Sequence, residues 1–419
     1  MSGSQKPISN ENLSSESEPE ALKKKRLCLR QRNWVVAGLL LLFVIAGLAG
    51  YGPLMDKINH DRIENYRKQC KKATTAGDWK KLESAANHWL ELDPHNNDAL
   101  LFGAEAGVQL DQLERAVELL GRVDNTYHGV LPALAGRGDI LFSDLNLPLA
   151  AVENWQRMLK INERAGIAHQ RLIYFYAMTL QRQKMVKQIK WSMSLGCEPP
   201  ESYSYLIMQN VLSFSDGVAL LTRWRSHYPQ NEVLEVAHAV YSAKQTSDNG
   251  MATFGIQTVV PGDKTLLNRV LKKYPSNPEL LALKIDLAIF EGDDSAVANL
   301  LAQASSEAEA DSRFWRYRGW LLKKRKSYHS ASESLEHAIE LNPFEWQSRL
   351  LLADTFRLLN NTEKADKQAK IASVGKNLQE KLFERPTARD VDADLIEMIY
   401  EYLLLVDAPD VLEALERRR

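Results

Sequence analysis

The chain has 419 residues, of which 45% are hydrophobic and 26% charged, and its formal net charge is −1. This balance excludes a wholly disordered chain and an overall electrostatic attraction to nucleic acid. The cysteines, Cys28, Cys70 and Cys197, are too few and too far apart for a disulfide framework or a zinc site.

The N-terminal region has the pattern of a membrane anchor. Residues 1–33 are polar, end in a basic run and predict a disordered cytoplasmic tail with a basic flank. Residues 34–54 carry no charge and are just long enough to span a bilayer as a transmembrane helix. Because Lys and Arg are more frequent before this stretch than after it, we expect a single-pass membrane protein with a cytoplasmic N-terminus and an extracytoplasmic remainder. A cleaved secretory signal is the alternative.

From residue 55 onward, apolar residues follow a helical period, and no strand alternation is found. Residues 55–379 therefore predict an all-α, right-handed α-solenoid of eight or nine helix pairs. An irregular insert at about 245–263, rich in Gly and Pro, interrupts it. The predicted pairs span residues 64–94, 97–123, 131–162, 164–195, 201–230, 232–274, 278–310, 312–343 and 345–375.

Small and apolar residues recur at a fixed spacing. The pairs separated by 34 residues are Ala331 and Ala365, Ala338 and Ala372, Ala304 and Ala338, and Leu82 and Ala116. Such a period indicates helix pairs that bury their apolar faces only by stacking on their neighbours.

The most specific pattern is Trp315-x-x-Arg318-Gly319-x-x-Leu322, followed by Ala331-x-x-x-Leu335, Ala338 and Pro343. This segment resembles the tetratricopeptide-repeat family, and the resemblance extends over residues 64–375. It implies protein–protein interaction through a groove lined by the first helix of each pair.

Residues 380–419 depart from the period and predict C-terminal capping helices. Thr387-x-x-Asp390 resembles a capping box, and the helix after it carries an apolar stripe. We expect this stripe to cover the last helix pair, because a solenoid needs a terminal element over its exposed core face. A docking helix for a separate partner is the alternative.

A cluster of basic and aromatic residues extends over 313–326. On a helix, the residues that share one face are Arg313, Arg316, Trp320 and Lys323. The resemblance places this face toward the groove, while Trp315, Gly319 and Leu322 pack inward. We expect these four residues to bind an acidic peptide segment of a partner protein. The alternatives are a solvated face and, more weakly, single-stranded nucleic acid.

Searches for catalytic, metal-binding and cofactor-binding motifs find none, so we expect no enzyme activity, no metal site and no cofactor. The sequence predicts a membrane-anchored interaction scaffold that presents its groove outside the cytoplasm. The alternative is an accessory or substrate-recruiting subunit of an envelope enzyme or biogenesis complex.

Overall fold

The computed structural model describes residues 55–244 and 264–418. The predicted tail 1–33, the predicted span 34–54 and the insert 245–263 lie outside these residues.

No helix in the described ranges is long and apolar enough to cross a membrane. The longest ones, 55–76 and Thr362–Phe383, carry charged residues along their whole length. This finding contradicts the prediction of a single-pass membrane protein with an extracytoplasmic repeat domain, and we correct that prediction accordingly.

The chain forms two compact units that divide between Phe102 and Gly103. The first unit contains α1 (55–76), α2 (Trp79–Leu92) and the start of α3 (Asn97–Gln109). Its core includes Cys70, and burial raises the pKa of this thiol to about 11, so it is an unreactive packing residue.

The second unit is built from helices throughout the part that the structure describes. One π-helical turn, Ile140–Asp144, and one 3₁₀ turn, Ser306–Ala310, accompany its α-helices. After α3, these are α4 (Leu113–Arg122), α5 (Val130–Asp139), α6 (Pro148–Ile161), α7 (Gly166–Met178), α8 (Arg182–Leu195), α9 (Ser202–Met208), α10 (Gly217–His227), α11 (Glu232–Lys244), α12 (Lys264–Lys273), α13 (Pro278–Glu291), α14 (Asp294–Ala302), α15 (Ser312–Lys324), α16 (Tyr328–Leu341), α17 (Trp346–Leu358), α18 (Thr362–Phe383), α19 (Ala393–Leu403) and α20 (Pro409–Arg418).

Local sequence sets the helix ends. The Asn277 side chain accepts hydrogen bonds from the first backbone N–H groups of α13, and Gly292 ends that helix at φ 74°. Helix α16 ends at Leu341, just before Asn342 and Pro343, because proline cannot continue a helix. Consecutive helices then pack on one another, α15 on α16, α16 on α17 and α17 on α18.

The positions related by the 34-residue spacing are mostly core positions. Ala331, Ala338, Ala365 and Ala372 are at most 2% exposed, as stacked helix pairs require. Ala304 differs, since it follows the end of α14 and is only partly buried. The predicted all-helical arrangement of stacked helix pairs is therefore confirmed for the described residues.

The C-terminal helices pack on α18 and also return to α8 in the middle of the second unit. Arg417 Nη2 donates a hydrogen bond to the Met193 carbonyl at 2.7 Å, and Lys190 pairs with Asp410 at 3.0 Å. The second unit thus forms a closed turn between α8 and α20. The residues that α20 buries are Val411, Ala414 and Leu415.

We expect a side chain at Gly319 to destabilise the protein. A Cβ there would lie 2.5 Å from Leu335 Cγ on α16, so Gly319→Leu should overpack the contact and cost roughly 1–3 kcal/mol. Urea unfolding measures this loss. The matched control is Gly136→Ala within α5, where a Cβ would meet no atom within 4 Å and no loss is expected. Equal losses in both variants would contradict the packing assigned to Gly319.

We expect α20 to contribute to the stability of the closed turn. Leu415 is 1% exposed, so Leu415→Ala should lower the free energy of unfolding by roughly 2–5 kcal/mol. Leu404 is 57% exposed, and Leu404→Ala should change it little. If thermal and urea unfolding show that Leu415→Ala is as stable as the unmodified protein, α20 does not contribute to stability and the closed turn does not depend on it.

Candidate partner-binding cavity

A cavity of about 470 Å³ lies inside the closed turn, between α8, α11, α13, α15, α17 and α18; we call it the central cavity. Much of its lining is apolar and includes Val240, Leu283 and Tyr317. Three further lining residues are exposed apolar side chains, which together we call the rim. Their exposed fractions are 60% for Phe290, 43% for Leu350 and 38% for Phe383.

Three of the four predicted groove residues, Arg313, Arg316 and Trp320, line the central cavity. All lie on α15, and their helical spacing directs them to one side, as the sequence pattern indicated. The fourth residue, Lys323, is not among the lining residues, and its Nζ donates to Asp354 Oδ2 on α17 at 3.1 Å.

Two tryptophans of α15 have different surroundings. Trp320 packs against the apolar core of α13 and α15, and Lys324 Nζ lies 5.4 Å from its ring centroid. Trp315 is only partly buried, and it meets His337 edge-on with ring centroids 4.3 Å apart. The expectation that Trp315 fills the interior is therefore wrong, because its ring lies at the partly exposed contact between α15 and α16.

The charge of Arg313 is paired within the chain. Its Nη1 and Nη2 donate to Glu279 at 3.1 and 2.5 Å, and Nη2 also donates to Asp311 at 2.6 Å. Arg182 donates to the same Glu279 carboxylate from Nε and Nη2 at 2.9 and 3.0 Å. Glu279 is therefore held between two guanidinium groups. We call Arg182, Glu279, Arg313 and Asp311 the buried ion-pair network.

Arg316 is also paired internally. Its Nη1 donates to Glu345, whose side chain is fully buried, and its Nη2 lies 3.6 Å from Asp286 Oδ1. Ser348 donates its hydroxyl to the other Glu345 oxygen at 2.8 Å. Burial lowers the pKa of Arg316, but Glu345 outweighs it, so the pKa lies above its usual value.

The buried ion-pair network stays ionised over a wide pH range. Burial raises the pKa of Glu279, but the positive charges of Arg182 and Arg313 outweigh this effect and hold the pKa at about 2. A buried charge of either sign is stable only when it is compensated in this way. The arginines that the sequence nominated for a ligand are therefore already neutralised by carboxylates of the same chain.

Lys244, the last residue of α11, is a cation in the lining with a different environment. Its ammonium makes no hydrogen bond or ion pair with the residues that the structure describes. Burial and then the positive charge of Arg182 lower the pKa of Lys244 to about 8. Arg182 itself has a buried Nη1 that finds no hydrogen-bond partner in the described part of the chain.

Sequence reasoning missed Lys244 and the rim, but a signal for part of this lining exists. Arg316 and Leu350 are 34 residues apart, as are Asp286 and Trp320, and all four line the central cavity. Adding or subtracting 34 residues from the positions on α15 predicts Leu350 and Asp286 as lining residues. Lys244 and Arg182 have no such relation to α15, and Arg182 comes from α8, which lies far from α13 in the sequence.

Within residues 55–244 and 264–418, no three His, Cys, Asp or Glu side chains are grouped so that they could hold a metal ion.

The fold is thus a stack of helix pairs, closed between α8 and α20. No protein-family model and no curated protein matches the sequence. Solved structures that match include the APC/C hetero-tetramer Cut9–Hcn1, at 13% identity over 82% of this chain and 71% of that one, with a TM-score of 0.31. A tetratricopeptide repeat protein from Parabacteroides merdae matches at 10% identity over 71% and 99% of the two chains, with a TM-score of 0.27.

The TPR2AB domain of yeast Sti1, in a complex with pHSP90, matches at 14% identity over 81% and 98% of the chains, with a TM-score of 0.28. Similarities at this level carry no argument about function, so the function has to be inferred from the cavity itself.

We expect Glu279→Gln to destabilise the protein strongly. The change leaves Arg182 and Arg313 without their shared carboxylate, and breaking such a buried pair costs roughly 3–5 kcal/mol. Glu279 has a folded pKa of about 2 against an ordinary value of 4.5, so its stabilisation is complete above pH 4.5 and is lost as the pH falls toward 2. The variant should lose this part of the pH dependence in urea unfolding at several pH values.

The control for this prediction is Glu118→Gln. Glu118 is 69% exposed and lies 3.8 Å from Arg122, so its removal should cost at most about 1 kcal/mol. Similar losses for the two variants would show that the buried ion-pair network contributes no more than a surface pair.

Proposed function

We propose that the protein is an interaction scaffold that binds partner polypeptides at the central cavity, chiefly through apolar contacts on the rim. The observation that carries this proposal is the combination of exposed apolar side chains with lining arginines whose charges are already paired. Phe290, Leu350 and Phe383 come from three different helices and line one concavity. Exposed apolar residues that converge in this way are typical of binding surfaces.

The energetics favour apolar contact over ion pairing at this site. A partner carboxylate that engaged Arg313 would have to displace Glu279 or Asp311, which are internal and need no ordering on binding. Covering the rim residues, in contrast, removes apolar surface from water at a gain of roughly 25 cal/mol per Å². The rim is therefore the more favourable place for a partner.

The four groove residues predicted from the sequence have different roles in this proposal. Trp320 is proposed as a direct contact, because its ring is partly exposed in the lining. Arg313 and Arg316 are proposed to hold the shape of the wall through their internal pairs. Lys323 is proposed to meet an acidic side chain of the partner, since its present counter-ion, Asp354, is 42% exposed.

The test compares partner capture by two sets of substitutions in the otherwise unmodified protein. The triple variant Phe290→Ser, Leu350→Ser and Phe383→Ser should lower partner recovery at least about tenfold, the equivalent of one interface hot spot. The control variant, Leu358→Ser with Leu404→Ser, removes two apolar residues that are comparably exposed but outside the cavity lining, at 48% and 57%. It should capture the same partners at the original yield.

Ionic strength separates apolar from ionic docking. Recovery should change little between low and molar salt, because screening acts on exposed charges and not on apolar burial. The proposal fails if the rim variant captures the same partners as the control, or if salt alone releases them.

A further inference from the structure

The buried ion-pair network lies between two cavities. Arg182 and Glu279 line the central cavity and also a second cavity of about 260 Å³, formed near the first turns of α8, α11 and α13. We call the part of the central cavity lined by Arg182, Glu279 and Lys244 its inner end.

The charges around the inner end balance in number but not in hydrogen bonding. The lining contains the cations Arg182, Lys244, Arg313 and Arg316. The arginines donate hydrogen bonds to three carboxylates, namely Glu279, Asp311 and Glu345. Asp286, a lining carboxylate, is 46% exposed and lies 3.6 Å from Arg316. Lys244 is left without a hydrogen-bonded counter-ion among the described residues.

A lysine in this position favours an anion. Moving an ammonium group away from water costs free energy, and the cost is recovered only when an opposite charge comes close. Arg182 Nη1, in the same lining, is a buried donor without a partner in the described ranges, and the charge of Arg182 acts on Lys244. A lysine without a hydrogen-bonded counter-ion, in a largely apolar lining, matches a monoanion with an apolar body better than a strongly hydrated dianion.

We propose that the central cavity binds a small amphiphilic carboxylic acid, with its carboxylate beside Lys244 and Arg182 and its apolar body against Val240, Leu283 and Tyr317. The cavity volume of about 470 Å³ falls within the range of roughly 300–1,000 Å³ that is typical of small-molecule sites. This inference goes beyond the scaffold function, since the partner is assigned to the rim and Trp320, and the acid to the inner end.

The site implies a pH dependence with a definite sign. The charged groups that act on Lys244 are Arg182 and Arg313, which lower its pKa, and Asp286 and Glu279, which raise it. A bound carboxylate favours the protonated lysine, so affinity for the acid is greatest between the pKa of the acid and about pH 8 and falls as the pH rises above about 8. An uncharged ligand with the same body shows no such change.

The experiment titrates the purified full chain with octanoate, 1-octanol and octyltrimethylammonium, using isothermal calorimetry and tryptophan fluorescence. Octanoate should bind at least about tenfold more tightly than octanol, as one charge-assisted hydrogen bond predicts, and the cation should bind worst. Lys244→Met should remove the preference for octanoate and its pH dependence but leave octanol binding unchanged. Retained octanol binding shows that the variant is folded and its cavity intact.

The matched control is Lys284→Met on α13, whose Nζ donates to Asn268 at 3.3 Å and which does not line the cavity. It should bind all three probes as the unmodified protein does. Equal affinity for octanoate and octanol, or the same loss in Lys284→Met as in Lys244→Met, would overturn the anion site. Binding of an amidated Leu-Glu-Leu peptide in place of octanoate would overturn the free acid and assign the carboxylate to a partner side chain. Loss of partner capture in the rim variant alone bears only on the scaffold function.

Discussion

The second unit depends on one carboxylate that is shared by two arginines. Glu279 on α13 accepts hydrogen bonds from Arg182, 97 residues earlier, and from Arg313, 34 residues later. These bonds join the first turns of α8, α13 and α15, which stacking alone would leave as separate layers. Because all three groups are buried, none of them is stable without the others. The carboxylate therefore fixes the distance across the turn and, with it, the width of the central cavity.

Closure changes what a repeat array offers to a ligand. An open solenoid presents a long concave surface that solvent reaches along its whole length. Here the C-terminal helices contact α8, and Arg389 pairs with the buried Glu201 at 3.2 Å. The concave face between α8 and α18 contains the central cavity, whose lining includes the exposed rim. Burial within this lining lowers the pKa of Lys244.

The sequence predicts the positions that follow the repeat period, but few of the contacts between helices that are far apart in the sequence. Buried alanines such as Ala331 and Ala365 follow from the period, as does the shared face of Arg313, Arg316 and Trp320. The counter-ions do not, since a periodic pattern cannot show that Arg182 meets Glu279 across the turn. For the same reason the pattern overestimates the charge available to a ligand. The membrane prediction came from residues 34–54 and the basic residues before them, and the described helices contradict it.

The rim and the inner end share their walls, so the two proposed ligands would contact the same helices. Leu283 and Tyr317 belong to α13 and α15, the helices that also carry Phe290 and Trp320. An acid bound at the inner end as proposed would restrain these helices, and a partner on the rim would then lose less conformational freedom on binding. Linkage requires such an effect to be reciprocal, so the partner would strengthen the binding of the acid by the same factor. This coupling would act through apolar packing, because the arginines of the lining already have internal counter-ions.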